Sequence, residues 1–345
     1  MKIVQSILIL LILVVGISSC KKYNQIDNGS TVKTPYSLYV GGYNGTLKKT
    51  NDALYFSTLF YTDNSMIRQI VIADSVISCI KQNFYFSKDD GKFLQLSSNF
   101  GKVRKSLTAK DSFYNYFIPN VSCYNDNDLT VYLCTESGIR YSKDFGKSFT
   151  ADNNWAATPD LPRSITRTNN LDLYAMKGDT LYERKQSVPP SGWNPWTQVV
   201  AVSPNTLPVG NSWYISHSHD SLFAIDFKGN EGVYFSADKG LNWYVGKQLL
   251  PNTHEILFGK EVFGKFYIGL DSAGLFSFSG NQFKSIGKGI PWYAKVSDII
   301  GKTVRYRTDA IRNYWFCATD QGLYISETDG TDWKLVLPGQ WSSLH

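Results

Sequence analysis

One recurring unit constrains the fold of this chain more than any other feature of its sequence. It runs as an apolar strand, a short turn usually ending in Gly, a second apolar-aromatic strand, and then a Ser-Asp-Gly turn closed by an aromatic. The clearest copies are VYLCTESGIRYSKDFGKSF, LFAIDFKGNEGVYFSADKGLNW and YWFCATDQGLYISETDGTDW, with weaker ones in VISCIKQNFYFSKDDGKF and FYIGLDSAGLFSFSGNQF. SLYVGGYNGTLKK and LYAMKGDTLYER keep only the first half. The apolar residue that opens the second strand marks each copy: Leu47, Phe84, Ile139, Leu181, Val233, Leu275 and Leu323. Successive markers lie 37, 55, 42, 52, 42 and 48 residues apart, 46 on average.

A period near 46 residues is that of a four-stranded blade, so the chain is expected to be all-β, a single β-propeller. Seven markers predict seven blades of four antiparallel strands. Six or eight are the alternatives, because the copies at Leu47 and Leu181 are degenerate. The runs Val131-Tyr132-Leu133-Cys134 and Leu323-Tyr324-Ile325 are apolar on both faces, as strands inside a stack of sheets must be. Composition agrees: aromatics make up 15% of the chain, which has 27 glycines but three methionines, a mix for short strands and tight turns. A formal net charge of +6, spread along 345 residues, gives nucleic acid nothing to bind.

The second half of the unit resembles the Asp-box, or BNR repeat, Ser-x-Asp-x-Gly-x-x-aromatic. Ser142, Asp144, Gly146 and Phe149 match it fully, as do Ser236, Asp238, Gly240 and Trp243. Ser87, Asp89 and Gly91 place Phe93 one position early; Ser326, Gly330 and Trp333 flank Thr328 where Asp belongs; Ser277 and Phe283 sit in a shortened version. Such a turn needs Gly for positive φ and the Ser and Asp side chains to bond turn amides, so these aspartates are read as structural. The resemblance implies relatives as different as sialidases, xyloglucan-cleaving glucanases, sortilin-like receptors and photosystem assembly factors, so fold leaves function open. The Arg-Ile-Pro motif of sialidases is not legible: Phe117 and Gly289 precede the two Ile-Pro pairs, and Arg163 is followed by Ser164.

The start of the chain carries an address. Lys2, the apolar stretch Ile7 to Val15 and the small residues Gly16, Ser18 and Ser19 form a cleavable leader, too short before its break to span a bilayer. Ile17-Ser18-Ser19-Cys20 resembles the lipobox of bacterial lipoproteins, which implies diacylglycerol on Cys20 and a membrane as partner. Lys21 and Lys22 stand where inner-membrane retention shows an aspartate, favouring the outer membrane of the cell envelope. The expected organisation is 1–19 signal peptide, 20–33 lipidated Cys and polar tether, and 34–345 propeller.

Nothing in the sequence assembles a catalytic, metal or cofactor site. Cys79, Cys123, Cys134 and Cys317 fit no zinc spacing; Cys123 and Cys134 either bridge neighbouring strands or sit as buried thiols. Strand alternation would put His217 and His219 of His-Ser-His-Asp on one face, but without further ligands they read as a surface turn. Trp193 and Trp196 are read either as sugar-stacking platforms or as core. The candidate ligand-binding residues are acids in the turn between the two strands of each unit: Glu136, Asp179, Asp226 with Glu231, Asp271 and Asp320. Around one channel mouth they would form a negative ring opposite the Asp-boxes, suited to a protein or glycan ligand with positive charge. The expected function is a membrane-anchored, non-catalytic binding or assembly module, with a carbohydrate-active hydrolase or lyase of the envelope as the alternative.

Overall fold

The computed structural model describes most of residues 32–345; residues 1–31, 62–65, 88–94 (with Asp89, Gly91 and Phe93), 97–121, 124–129, 156–163, 186–193, 227–231, 247–253 and 307–309, with several other stretches of one to three residues, lie outside the described residues. Those described are all-β. They form seven antiparallel sheets, six of four strands and one of five. The seven markers all fall in the third strand of a sheet, one to each. What the sequence shows as a two-strand unit is therefore the middle pair of a four-stranded sheet.

The first strands of the sheets are Trp341–Leu344, Gln69–Ala73, Ser122–Cys123, Ser164–Arg167, Trp213–Ser218, Ile256–Val262 and Val296–Tyr306. Each packs against the next, and the seventh against the first, so the ring closes on itself. This is a β-propeller, and its sheets are numbered here as blades in that order. Blade 1 joins the two ends of the chain: Val40 pairs with Leu344 and Gly41 with Ser343, while Tyr39 and His345 exchange N–H···O bonds of 2.8 and 3.0 Å.

The core lies between blades rather than inside any one of them. Phe258, Tyr267 and Leu275 of blade 6 meet Ile299, Trp315 and Cys317 of blade 7, and Leu38 and Val40 of blade 1 meet Phe316 and Ala318 of blade 7. At about 1.5–3 kcal/mol for each fully buried large apolar side chain, this stacking is the main stabilising term. Close approach of the backbones demands glycine in places: a Cβ on Gly269 would lie 2.1 Å from the Phe258 ring and 2.3 Å from the Val296 carbonyl.

The turns after the third strands work as hydrogen-bonded clasps. Asp238 accepts from Ser236 Oγ (2.8 Å) and from the Asn242 backbone (2.8 Å) and side chain (2.7 Å), with Trp243 buried behind it. Asp144 does the same with Ser142 and Ser148. Thr328 substitutes for the aspartate by accepting the Asp332 N–H at 3.0 Å. Blade 1 also has a clasp: Thr50 Oγ1 donates to Asp52 at 2.9 Å, and Asp52 accepts the Tyr55 N–H at 2.9 Å.

Of the two readings of Cys123 and Cys134, the buried thiol holds for Cys134, which is free, and Cys123 lies opposite Val131, three residues away from it, so the two are not bridged. Val32–Thr34 forms a strand on the edge of blade 7.

Candidate functional site

Strand polarity sorts the loops into two ends. Second-to-third turns and the connections entering each first strand share one end; first-to-second turns and the Ser-Asp clasps share the other. In blade 6, His254 and Glu255 lead into the first strand and Asp271 follows the second, so antiparallel pairing sets them side by side. Asp271 donates its N–H to the Glu255 carbonyl (3.0 Å) and accepts the Glu255 N–H on Oδ1 (3.3 Å). Ser272 Oγ donates to the same oxygen at 3.2 Å and lies 2.8 Å from His254 Nδ1. Blade 7 repeats the device: Asp320 Oδ1 accepts the Lys295 N–H at 2.9 Å, and the Asp320 N–H returns to the Lys295 carbonyl at 3.2 Å.

These contacts reassign the expected acidic ring. Asp271 and Asp320 hold the entering connections to the turns, and Asp226, at the end of its strand, is only 3% exposed. A side chain buried that deeply is not on a rim. Asp179 is exposed in its turn, whereas Glu136 and Glu231 lie outside the described residues, as do Trp193 and Cys20. The described acids thus do not form a continuous exposed ring; blades 6 and 7 bring together Asp271, Asp320, Glu255, Lys295 and His254.

Glu255 is the group with unusual chemistry here. Burial, and then the charge of Asp271, push its carboxyl up to about 7, against the opposing pull of Lys295. Near neutral pH it is therefore poised between acid and carboxylate. The connection Gly289-Ile290-Pro291, which runs on to Lys295, presents Trp292, 79% exposed, and Tyr293, 52% exposed, edge to face at 5.7 Å. Buried Ile290 and Ala294 pin the connection on either side, with N–H bonds of 2.9 Å to Gly287 and Pro291. The usable signal in the sequence was an aromatic doublet straight after a proline, between two repeat units.

A second polar group lies beside the axis. Lys260 Nζ of blade 6 is 3.2 Å from Asp298 of blade 7, whose other oxygen accepts the Leu344 N–H of blade 1 at 2.8 Å. Burial and the neighbouring Lys260 lower Lys302 to about 8. Burial, Lys302 and Lys260 hold His345 down near 3. Tyr43 and Ser297 hydroxyls meet at 2.8 Å nearer the other end.

The histidine pair of the sequence is split. His217 Nδ1 is 2.7 Å from Thr166 of blade 4, and burial lowers the pKa of its imidazole; His219 gives its backbone N–H to Glu261 of blade 6 at 2.6 Å, and its ring Nδ1 lies 3.7 Å from the same carboxylate. The His217 ring thus bonds to blade 4 and the His219 ring faces blade 6. Among the described residues no group of three or more His, Cys, Asp or Glu is placed to hold a metal. Trp196 belongs to the packing: its Nε1 donates to Asp152 at 3.0 Å and its ring meets Trp155.

No protein-family model matches the chain, and no curated protein does. Solved structures do. YCF48 bound to a D1 peptide superposes with a TM-score of 0.52 at 14% identity, over 88% of this chain and 95% of that one. The extracellular domain of BT4673 from B. thetaiotaomicron gives 0.53 at 14% identity over 79% of this chain, but only 33% of its own length. The computationally designed Ika8 protein gives 0.50 at 10% identity, over 92% and 86%. The likeness is one of fold. At such identities a shared propeller carries no residue roles with it.

Proposed function

We propose that this chain is a lipid-anchored, non-catalytic binding module of the bacterial envelope, holding a protein ligand on the rim opposite the clasps. The observation that carries the reading is the Trp292–Tyr293 pair, exposed and braced, on the connection between blades 6 and 7 that runs on to Lys295 and its bond to Asp320. Two exposed aromatic rings on a rim that also carries carboxyl groups suit a segment with a Lys or Arg side chain, through ring stacking, cation–π contact and charge. A propeller of the same fold holding a peptide supports the use of the scaffold for this purpose. The anchor is the thioether lipid on Cys20, and the outer membrane is its proposed site. The test is crosslinking and mass spectrometry in intact cells. Wild type captures a discrete set of proteins; Trp292→Ala/Tyr293→Ala loses them while keeping its melting temperature, and Cys20→Ser is released from membranes. Unchanged capture by the double variant would remove the site from this rim.

The alternative, a carbohydrate-active hydrolase or lyase, is favoured by one observation, Glu255 titrating near 7 beside a second carboxyl. Against it, the Asp271 carboxylate is already engaged by Glu255 N–H, Ser272 and His254. Turnover of envelope glycans that is abolished by Glu255→Gln would establish it.

A further inference from the structure

The hairpin that opens blade 7 is far longer than its counterparts. Its strands, Val296–Tyr306 and Ile311–Thr319, have 11 and 9 residues, whereas no other first or second strand among those described exceeds seven. At roughly 3.3 Å per residue, the four extra residues of the first strand carry the tip about 13 Å further out. It projects from the end that bears the clasps, because first-to-second turns lie there. The chain enters the fold at the same place: Val32 pairs with Tyr306 and Thr34 with Arg305, forming the fifth strand of blade 7.

We propose that this hairpin is a foot on which the propeller stands against its own membrane, its tip seated among anionic lipid headgroups. The inference rests on the proposed lipidation of Cys20. Eleven residues separate Cys20 from Val32, a reach of at most about 40 Å. A chain that short keeps Tyr306, and therefore the tip, next to the bilayer. The tip has the chemistry for that position: Ile311 is 63% exposed, and Arg305 and Arg312 are exposed beside it. The Arg312 guanidinium lies 5.7 Å over the Tyr306 ring, which orients it along the hairpin. The described tip residues, 303–306 and 310–313, include no acid; Arg307 and Asp309, outside the described residues, offset one another in charge. Basic residues around an apolar one, held near an anionic leaflet, gain both from charge and from insertion. The rim with Trp292 and Tyr293 then faces away from the lipid.

The test uses the full-length lipidated protein in vesicles of phosphatidylethanolamine and phosphatidylglycerol, with nitroxide on the lipid headgroups. An environment-sensitive fluorophore is placed by Ile311→Cys at the tip or by Val209→Cys, 84% exposed, on a connection between blades 4 and 5. The parent protein, whose Cys134 and Cys317 are buried, sets the labelling background. Quenching several-fold stronger at position 311 than at 209, and reduced by Arg305→Gln/Arg312→Gln while flotation with the vesicles is kept, supports the foot. Protein that floats but is quenched equally at both positions overturns the orientation and leaves the anchor standing. Protein that does not float, with an unmodified Cys20 by mass, overturns anchor and foot together. Quenching at 311 unaffected by the arginine substitutions, or protection there only when a second protein is present, overturns the lipid as occupant of the tip.

Discussion

Replacing Asp152 with Ala should be among the most damaging single changes in the described part of the molecule. Arg184 occupies the position, three residues after its marker, where five of the other six units carry a Ser or Thr: Thr50, Ser87, Ser142, Ser236 and Ser326. Instead of closing a turn in blade 4, its Nη1 forms a salt bridge with Asp152 of blade 3, and its Nε donates to the Asn194 carbonyl at 2.8 Å. Both side chains are almost fully buried, at 5% and 1% exposure, and Trp196 Nε1 donates to the same carboxylate. Removing one charge breaks a buried pair, a loss of about 3–5 kcal/mol, to which the Trp196 N–H losing its acceptor adds about 1. Replacing both by apolar residues of similar volume, Asp152→Leu with Arg184→Met, should recover most of it. Urea unfolding of wild type, both single variants and the double, followed by tryptophan fluorescence, measures the coupling directly. A cost below about 1 kcal/mol for Asp152→Ala, or strictly additive single effects, would refute the reasoning.

Two further outcomes follow from the titrating groups. Asp238→Ala should lower stability by about 1–2 kcal/mol by leaving the Asn242 amides without their acceptor. Because its hydrogen bonds from Asn242 and Ser236 outweigh desolvation and hold the Asp238 carboxyl below its usual value, that contribution is present above the ordinary aspartate range and fades as pH falls through the lowered value; melting curves across that range should converge for wild type and variant. Glu255 has the opposite sign: its carboxyl is raised from 4.5 to about 7 in the fold, so its contribution is full below 4.5 and is lost as pH rises through 7. Glu255→Gln should flatten that decline and melt above wild type at pH near 8, and an unchanged slope would show that Glu255 is not the group responsible.

The repeat made the architecture legible because stacked sheets impose the same apolar pair of strands at every turn of the ring. The same logic explains what stayed hidden. First strands vary in length and chemistry, from Ser164-Ile165-Thr166-Arg167 to Trp341-Ser342-Ser343-Leu344 to the eleven residues Val296–Tyr306, so neither they nor the closing strand announced themselves. The apparent half-copies are complete sheets whose clasp is written in other residues: Thr50 and Asp52 in blade 1, Arg184 reaching into blade 3 in blade 4. Acids in turns were visible, but the sequence does not say whether a carboxylate faces solvent or caps a neighbouring backbone. Asp320 and Asp271 do the capping. The exposed doublet Trp292–Tyr293 does not stand out in the sequence because most of the described aromatics are core.

The pairing of Trp341–Leu344 with Leu38–Gly42 in blade 1 has a consequence for how the fold is completed. Ser342 Oγ donates to the carbonyls of Gly41 and Ile67 at 3.1 and 2.7 Å, bonds that span 301 and 275 residues of sequence. Nothing local can substitute for the strand Trp341–Leu344, and contacts of that span form late because loop closure opposes them. The middle blades can stack from contacts between sequence neighbours, yet the ring stays unlatched until this strand docks.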